Sequence, residues 1–536
     1  MNKVNHSNLS YRPEIDGLRA IAVLSVIFYH AKIIISGRDW FEGGFIGVDI
    51  FFVISGYLIT RIILSEIKTT GSFSFLNFYE RRARRILPML FVVIFASMPF
   101  AWQKLLPSDF VEYAESILAS LFFGSNFFFY FRTTEYGADS SLLKPFLHTW
   151  SLGVEEQFYL FFPILAIIAY KYFYSNFLTI LIGLSLLSLQ FSELMVVKNS
   201  DLNFYLPFSR FWELAIGSIL AYRELHYKYS NNGFASKSLP IFGLYLIVYS
   251  ILFFDAKTPH PSFHTLIPII GVALIIGFAS KDELVGKLLA SKPFVWVGLI
   301  SYSAYLWHFP IFALSRQSSL SHTNYDKFEW IVVTLILSIA SFVLVETPLR
   351  NVRKISGKLF LSIILSAFVV ASVLGTLIIK GVIVNSEVGF VGELLDNGAF
   401  REEHKAFELN YDYSVLSNSK PNILIVGNSH AEDLLKALTF SDVANGYNIN
   451  LTSPIKRVKD VNYQVRCLWD YLKNNDTTCT QGASQGAVEY GPNISKQYSS
   501  ADIVMLASQW YTTDTETLSL SIPKMLDDGK KVIVVG

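Results

Sequence analysis

Eleven apolar runs, each close to the roughly 20 residues a helix needs to cross a bilayer's hydrocarbon core, constrain this chain more than any other feature. They fall at 17–36, 44–63, 86–104, 153–170, 176–197, 207–224, 239–255, 263–280, 293–315, 328–346 and 359–380. A further stretch, 113–131, is interrupted by Glu115, Ser116, Ser120, Ser125 and Asn126. Basic residues decide its status. With that stretch outside the bilayer and the N-terminus in the cytoplasm, the basic loops at 81–85, 223–237, 281–287 and 350–354 all lie inside, as the positive-inside rule requires. The stretch is therefore expected to be a re-entrant or interfacial helix in a long external loop. Of 536 residues 52% are hydrophobic and 16% charged, the balance of a polytopic membrane protein. A net charge of +1 offers no global attraction to nucleic acid. The first apolar run reads as a full span and not as a cleavable leader.

After Lys380 the texture changes. Apolar runs shorten to strand length in "NILIVG", "ADIVMLA" and "KKVIVVG", separated by amphipathic stretches such as "SHAEDLLKALTF". This alternation predicts an α/β domain with a mostly parallel sheet over 421–536, outside the cytoplasm by the span count, behind a linking helix at 351–380 and a polar linker at 381–420. Both cysteines, Cys467 and Cys479, fall there. They form one disulfide in an oxidising compartment or remain two free thiols.

Charged groups inside the spans carry the chemistry. Arg19 and His30 are eleven residues apart in "EIDGLRAIAVLSVIFYHA", about 16 Å of helical rise and three turns, so both project from one face and are expected to share one cavity. Ionisable residues at such depth face a bundle interior or a water path. A neutral imidazole there can take a proton from a hydroxyl or attack a thioester; in the plainer reading His30 bonds a neighbouring helix and Arg19 reaches for the interface. "FYERRARRILP" places Arg81, Arg82, Arg84 and Arg85 at the cytoplasmic mouth of the third span, as topology anchors or as guanidinium forks for the phosphates of a coenzyme A thioester. In "KPFLHTWSLGVEEQFYL", His148, Glu155 and Glu156 stand beside Trp150 and Tyr159, where an acceptor sugar or a proton could be handled. His308 and Glu346 sit near span ends, structural or catalytic with equal warrant.

Five linked stretches, "YRPEIDGLRAIAVLSVIFYH", "GFIGVDIFFVISGYLIT", "FYERRARRILP", "HTWSLGVEEQFYLFFP" and "SYSAYLWHFPIF", resemble the acyltransferase family 3 membrane proteins in that family's order, over residues 11–350. The resemblance implies an acyltransferase domain over 1–350 that moves an acyl group, usually acetyl from acetyl-CoA, to an exported or envelope glycan. The family's arginine–histidine pair carries over to Arg19 and His30, and its arginine-rich motif to Arg82 and Arg85.

"ILIVGNSHAEDL" sets Ser429 at a strand-to-helix turn and is similar to the first block of SGNH-type esterases and acetyltransferases, with Asn428 where Asp is usual. By that analogy Ser429 is a nucleophile, with its own amide, Gly446 and a later polar side chain, Ser508 or Gln509, as oxyanion donors. The late Asp-x-x-His of such domains does not occur in the sequence, and His430 points down the new helix. The SGNH-like domain is thus expected to be partial, the chain a fragment; otherwise the serine is inert.

The expected whole is a polytopic α-helical membrane bundle of about eleven spans followed by an extracytoplasmic SGNH-like α/β domain, in a bacterial inner membrane with a cytoplasmic N-terminus. Its expected partners are membrane lipids, acetyl-CoA as donor substrate and an envelope polysaccharide acceptor, with no bound cofactor, no metal and no nucleic acid. Lipopolysaccharide O-antigen is the first acceptor expected and peptidoglycan the second. A saccharide transporter is the rival from another class, disfavoured by the absence of an inverted repeat. An anchored esterase would leave Arg19 unexplained.

Overall fold

The computed structural model describes residues 11–134, 141–227, 234–280, 283–317, 323–383, 420–427, 447–452, 498–507 and 514–535, with Leu434 and Leu472. Two compact units divide between Asp396 and Asn397.

The first unit is helical. Its elements run α1 Pro13–Ala31, α2 Gly47–Thr70, α3 Phe75–Lys104, α4 Pro107–Leu121, α5 Ser125–Thr134, α6 Thr149–Tyr172, α7 Phe177–Lys198, α8 Ser200–Tyr205 and α9 Pro207–His226. There follow α10 Phe234–Phe253, α11 Leu266–Phe278, α12 Leu284–Leu289, α13 Lys292–Arg316, α14 Asn324–Ser341, α15 Thr347–Arg350 and α16 Gly357–Ile379, with a π-turn over Phe342–Glu346 between α14 and α15. A helix occupies each of the eleven apolar runs. Among the described residues eight helical segments are long and apolar enough to cross a membrane: those of α2, α3, α6, α7, α10, α13, α14 with its continuation, and α16. The chain is a multi-pass membrane protein. Exposed Leu160, Phe161, Ile164 and Leu165 on α6 and Leu359, Leu361 and Leu365 on α16 show the apolar outer faces this demands.

The remaining expected spans, α1, α9 and α11, fall short for physical reasons. α1 carries Glu14, Asp16 and Arg19, and α9 carries Arg210, Glu213, Arg223 and Glu224. Most of these charges are paired inside the bundle: Arg210 with Asp49, Glu224 with Arg12 and Arg61. α11 has only 13 residues. The first run was expected to continue to residue 36, but α1 ends at Ala31, where Lys32 turns left-handed at φ 53°. Ile34–Ile35 then pairs antiparallel with Arg38–Asp39, so strands β1 and β2 replace the last helical turn. The 113–131 stretch divides into α4 and α5, 15 and 10 residues long, at Phe123, whose φ is 54°. Each is shorter than the roughly 20 residues a crossing needs.

Glycines set the close contact between α2 and α9. A Cβ on Gly56 of α2 would lie 1.9 Å from the Leu214 carbonyl oxygen of α9, and one on Gly217 of α9 would lie 2.0 Å from that of Val53. Only hydrogen at both positions lets these backbones approach so closely.

In the second unit the described strands β3 Asn422–Gly427, β4 Asn448–Thr452, β5 Ile503–Ala507 and β6 Lys531–Val535 form a parallel sheet of order β4-β3-β5-β6. Helix α17, Asp514–Asp527, connects β5 to β6. Leu424, Val426, Val504 and Leu506 are its buried core, together with Met525 of α17. Ser429, Gly446, Ser508, Gln509, Cys467 and Cys479 lie outside the described residues, so the nucleophile, its oxyanion donors and the disulfide remain expectations.

Candidate active site

One cavity lies between α1, α2, α3, α6 and α13, with an empty volume of about 760 Å³ counting its open mouth. Its polar lining is Arg19, Ser55, Arg82, Arg85, Ser151, Glu155, Tyr159, Ser301, Tyr302 and Tyr305. Each helix contributes a stripe at helical spacing: 82, 85 and 86 on α3, 151, 152, 155 and 159 on α6, and 301, 302 and 305 on α13. Phe51, Ile54, Leu58 and Ile59 of α2 complete it as an apolar wall.

Helix phase splits the arginine cluster. Arg84 is buried, donating to Glu80 at 2.9 Å and to the Leu349 carbonyl at 3.0 Å, with its guanidinium 4.4 Å from the centre of the Phe360 ring. Arg81 pairs with Glu66 at 3.4 Å. Arg82 and Arg85, three residues apart, turn instead to the cavity. Arg85 has no ion-pair or hydrogen-bond partner among the described residues, and Arg82 Nε is buried without one. Arg19 is partly neutralised by Asp16 at 3.2 Å, which also accepts from Tyr11 at 2.7 Å. Glu155 accepts from the Tyr159 hydroxyl at 3.0 Å. Three guanidiniums therefore line one cavity whose wall itself carries one carboxylate, Glu155, a setting for phosphate oxygens.

The expectation that Arg19 and His30 line one cavity needs correction. His30 is not part of its wall, whereas Phe51 and Tyr305, which pack edge to face with centroids 6.1 Å apart, are. A contact chain joins His30 to Tyr305. The Tyr305 hydroxyl lies 2.6 Å from Ser151 Oγ and donates to the His148 carbonyl at 2.8 Å. One turn along α13, His308 Nδ1 is 2.5 Å from the Tyr305 carbonyl, and His308 Nε2 is 3.2 Å from His30 Nδ1. His148 completes a three-histidine group, its ring 5.4 Å from His308 and stacked on Phe309.

His148, Glu156 and Glu346 also lie off the cavity wall. Glu156 Oε1 is buried without a hydrogen-bond partner. Glu346, set by the π-turn, pairs with Arg350 at 3.0 Å and accepts from Ser303 at 3.0 Å, behind the wall formed by Ser301 and Tyr302. Sequence reasoning missed Ser55, Ser151, Ser301, Tyr302 and Tyr305. The signal was a polar stripe at 301, 302 and 305 within an apolar span. It also missed the buried group of Asp49, Arg210, Glu213 and His260, although three charges within spans marked it. Among the described residues no cluster of His, Cys, Asp or Glu is arranged to hold a metal.

Residues 12–347 match a family described as an acyltransferase domain. The chain is 33% identical over 365 residues to a peptidoglycan O-acetyltransferase of Listeria monocytogenes, covering 66% of this chain and 58% of the relative. It is 32% identical over 369 residues to a putative peptidoglycan O-acetyltransferase of Bacillus subtilis, covering 66% and 57%. It is likewise 32% identical over 372 residues to a putative O-acetyltransferase of Staphylococcus aureus, covering 66% and 60%. The chain thus spans less than two thirds of the length of these relatives. No solved structure matches it.

Proposed function

Because the chain belongs to the acyltransferase domain family, matched over residues 12–347, we propose that it takes an acetyl group from cytosolic acetyl-CoA and delivers it to a hydroxyl of an envelope glycan across the membrane. The observation that carries the reading is the convergence of Arg19, Arg82 and Arg85 on one cavity whose wall residue Tyr305 contacts the His308–His30 pair. The guanidiniums bind the donor's phosphates and the apolar α2 wall receives its arm, so the thioester is directed toward Tyr305. His30 takes the proton of the acceptor hydroxyl as its oxygen attacks the thioester carbonyl. A C–O bond forms, the C–S bond breaks, and the leaving thiolate receives that proton. Ser429 is either the first acceptor, passing the acetyl on, or part of a domain that selects the glycan.

Peptidoglycan is the preferred acceptor over lipopolysaccharide O-antigen, because the relatives named for a substrate are peptidoglycan O-acetyltransferases. The membrane is the bacterial inner membrane, with the N-terminus cytoplasmic and the second unit outside, as the distribution of basic loops supports. The test supplies labelled acetyl-CoA to inside-out vesicles enclosing either peptidoglycan fragments or O-antigen. Label on the peptidoglycan fragments supports the reading; label on O-antigen alone overturns the acceptor, and no label on either overturns the activity.

A further inference from the structure

The two rings that face each other across α1 and α13 fix one another's hydrogens. His308 Nδ1 lies 2.5 Å from the carbonyl oxygen of Tyr305, which can only accept, so Nδ1 of His308 carries a hydrogen. A neutral imidazole has one ring hydrogen, which leaves His308 Nε2 a bare acceptor. The 3.2 Å contact between His308 Nε2 and His30 Nδ1 then has a single possible donor, the Nδ1–H of His30. With its one hydrogen so placed, a neutral His30 presents an unprotonated Nε2, which makes no hydrogen bond among the described residues. No carboxylate bonds either ring among those residues, so no counter-charge holds a second proton there.

The surroundings hold this arrangement in place. His308 is fully buried, while His30 is partly exposed. The Phe309 ring meets His30 edge-on at 4.8 Å and Tyr29 lies 4.9 Å away. The Arg316 guanidinium donates to the His30 backbone carbonyl and so anchors the helix end instead of the ring. Of the other ionisable groups nearby, Lys32 lies over the Tyr29 ring and 3.9 Å from Asp39, and the His148 ring is 5.4 Å from that of His308.

We propose that His308 is the positioning residue of the transfer: its Tyr305-anchored ring accepts from His30 Nδ1, holding His30 in the tautomer whose Nε2 can take the acceptor's proton. The arrangement parallels the orienting role of a carboxylate behind a catalytic histidine, with a neutral imidazole in its place. It rests on the reading of His30 as the base.

The experiment compares His308→Phe, which keeps a ring but no acceptor, with His308→Gln, which restores an acceptor oxygen toward His30, in the full chain in proteoliposomes. Acetyl transfer is measured alongside the ¹⁵N solid-state spectrum of histidine-labelled protein, with His30 assigned by difference from His30→Ala. His308→Phe is expected to lower kcat roughly 100-fold, the scale of a general-base contribution, while KM for acetyl-CoA stays within about twofold. His308→Gln is expected to regain most of that loss. In the spectrum His30 is protonated at Nδ1 in the parent and His308→Gln proteins and moves toward the Nε2–H form in His308→Phe. Full activity or an unchanged His30 tautomer in His308→Phe overturns the proposal, as does equal loss in both variants. A fully active His30→Ala would instead remove the reading of His30 beneath it.

Discussion

Arg210 of α9 and Asp49 of α2 pair at 2.9 Å with neither side chain reaching solvent. The same guanidinium contacts Glu213 at 3.2 Å and His260 at 2.9 Å, and lies 5.3 Å and 5.0 Å from the ring centres of Trp150 and Phe204. This cluster ties α9 to α2 beside the close glycine contact. Removing Arg210 leaves the Asp49 and Glu213 carboxylates buried together without their guanidinium.

Arg210→Ala is therefore expected to destabilise the bundle by about 3–5 kcal/mol, the cost of breaking a buried pair. Thermal unfolding of the detergent-solubilised protein measures it; an unchanged midpoint would show that the pair contributes nothing.

Arg84 and Arg85 are neighbours with separate tasks. Arg85→Ala deletes a guanidinium that faces the cavity, and should raise KM for acetyl-CoA about tenfold to a hundredfold with unfolding unchanged. Arg84→Ala deletes the bonds to Glu80 and Leu349, and should cost about 1–3 kcal/mol of stability with KM unchanged. Equal effects of the two substitutions on KM would count against the phase assigned to α3.

Gly56→Ala must push α2 from the Leu214 carbonyl, 1.9 Å from the added methyl, and should lower stability by at least about 1–3 kcal/mol. Gly183→Ala on α7 meets no atom within 4 Å and should be neutral or stabilising by about 0.5–1 kcal/mol. Comparing their unfolding midpoints checks the packing; equal midpoints would contradict it.

Orientation is read by single cysteines placed in a background lacking Cys467 and Cys479. Lys354→Cys, an exposed position beyond α15, should react with a membrane-impermeant maleimide only in inside-out vesicles. Ser141→Cys, exposed before α6, should react only from the other face. The reverse pattern would invert the bundle.

The helices were legible in the sequence because the hydrocarbon core imposes a length, and a run of about 20 apolar residues has few other uses in water. The end of α1 was not, since Ile33, Ile34 and Ile35 suit a helix, a strand or a membrane equally well, and only the turn at Lys32 decides. The arginine motif offered topology anchors or phosphate forks, yet which of its four residues face the cavity depends on Glu80 one turn away and on Glu66 and Leu349, more distant in the chain. Arg19 and His30 lie on one helix, but Arg19 lines the cavity while His30 meets His308 of α13, and no spacing rule foresees a side chain from another helix. His308 was visible as an ionisable group in a span; its contact with His30, 278 residues away in the chain, was not.

The most direct test of the path through the membrane uses inside-out vesicles enclosing peptidoglycan fragments, with labelled acetyl-CoA outside and either the parent protein or His30→Ala in the bilayer. The account predicts label on the enclosed glycan with the parent and a loss of roughly 100-fold or more in His30→Ala, at unchanged acetyl-CoA binding. Undiminished labelling in His30→Ala would contradict it.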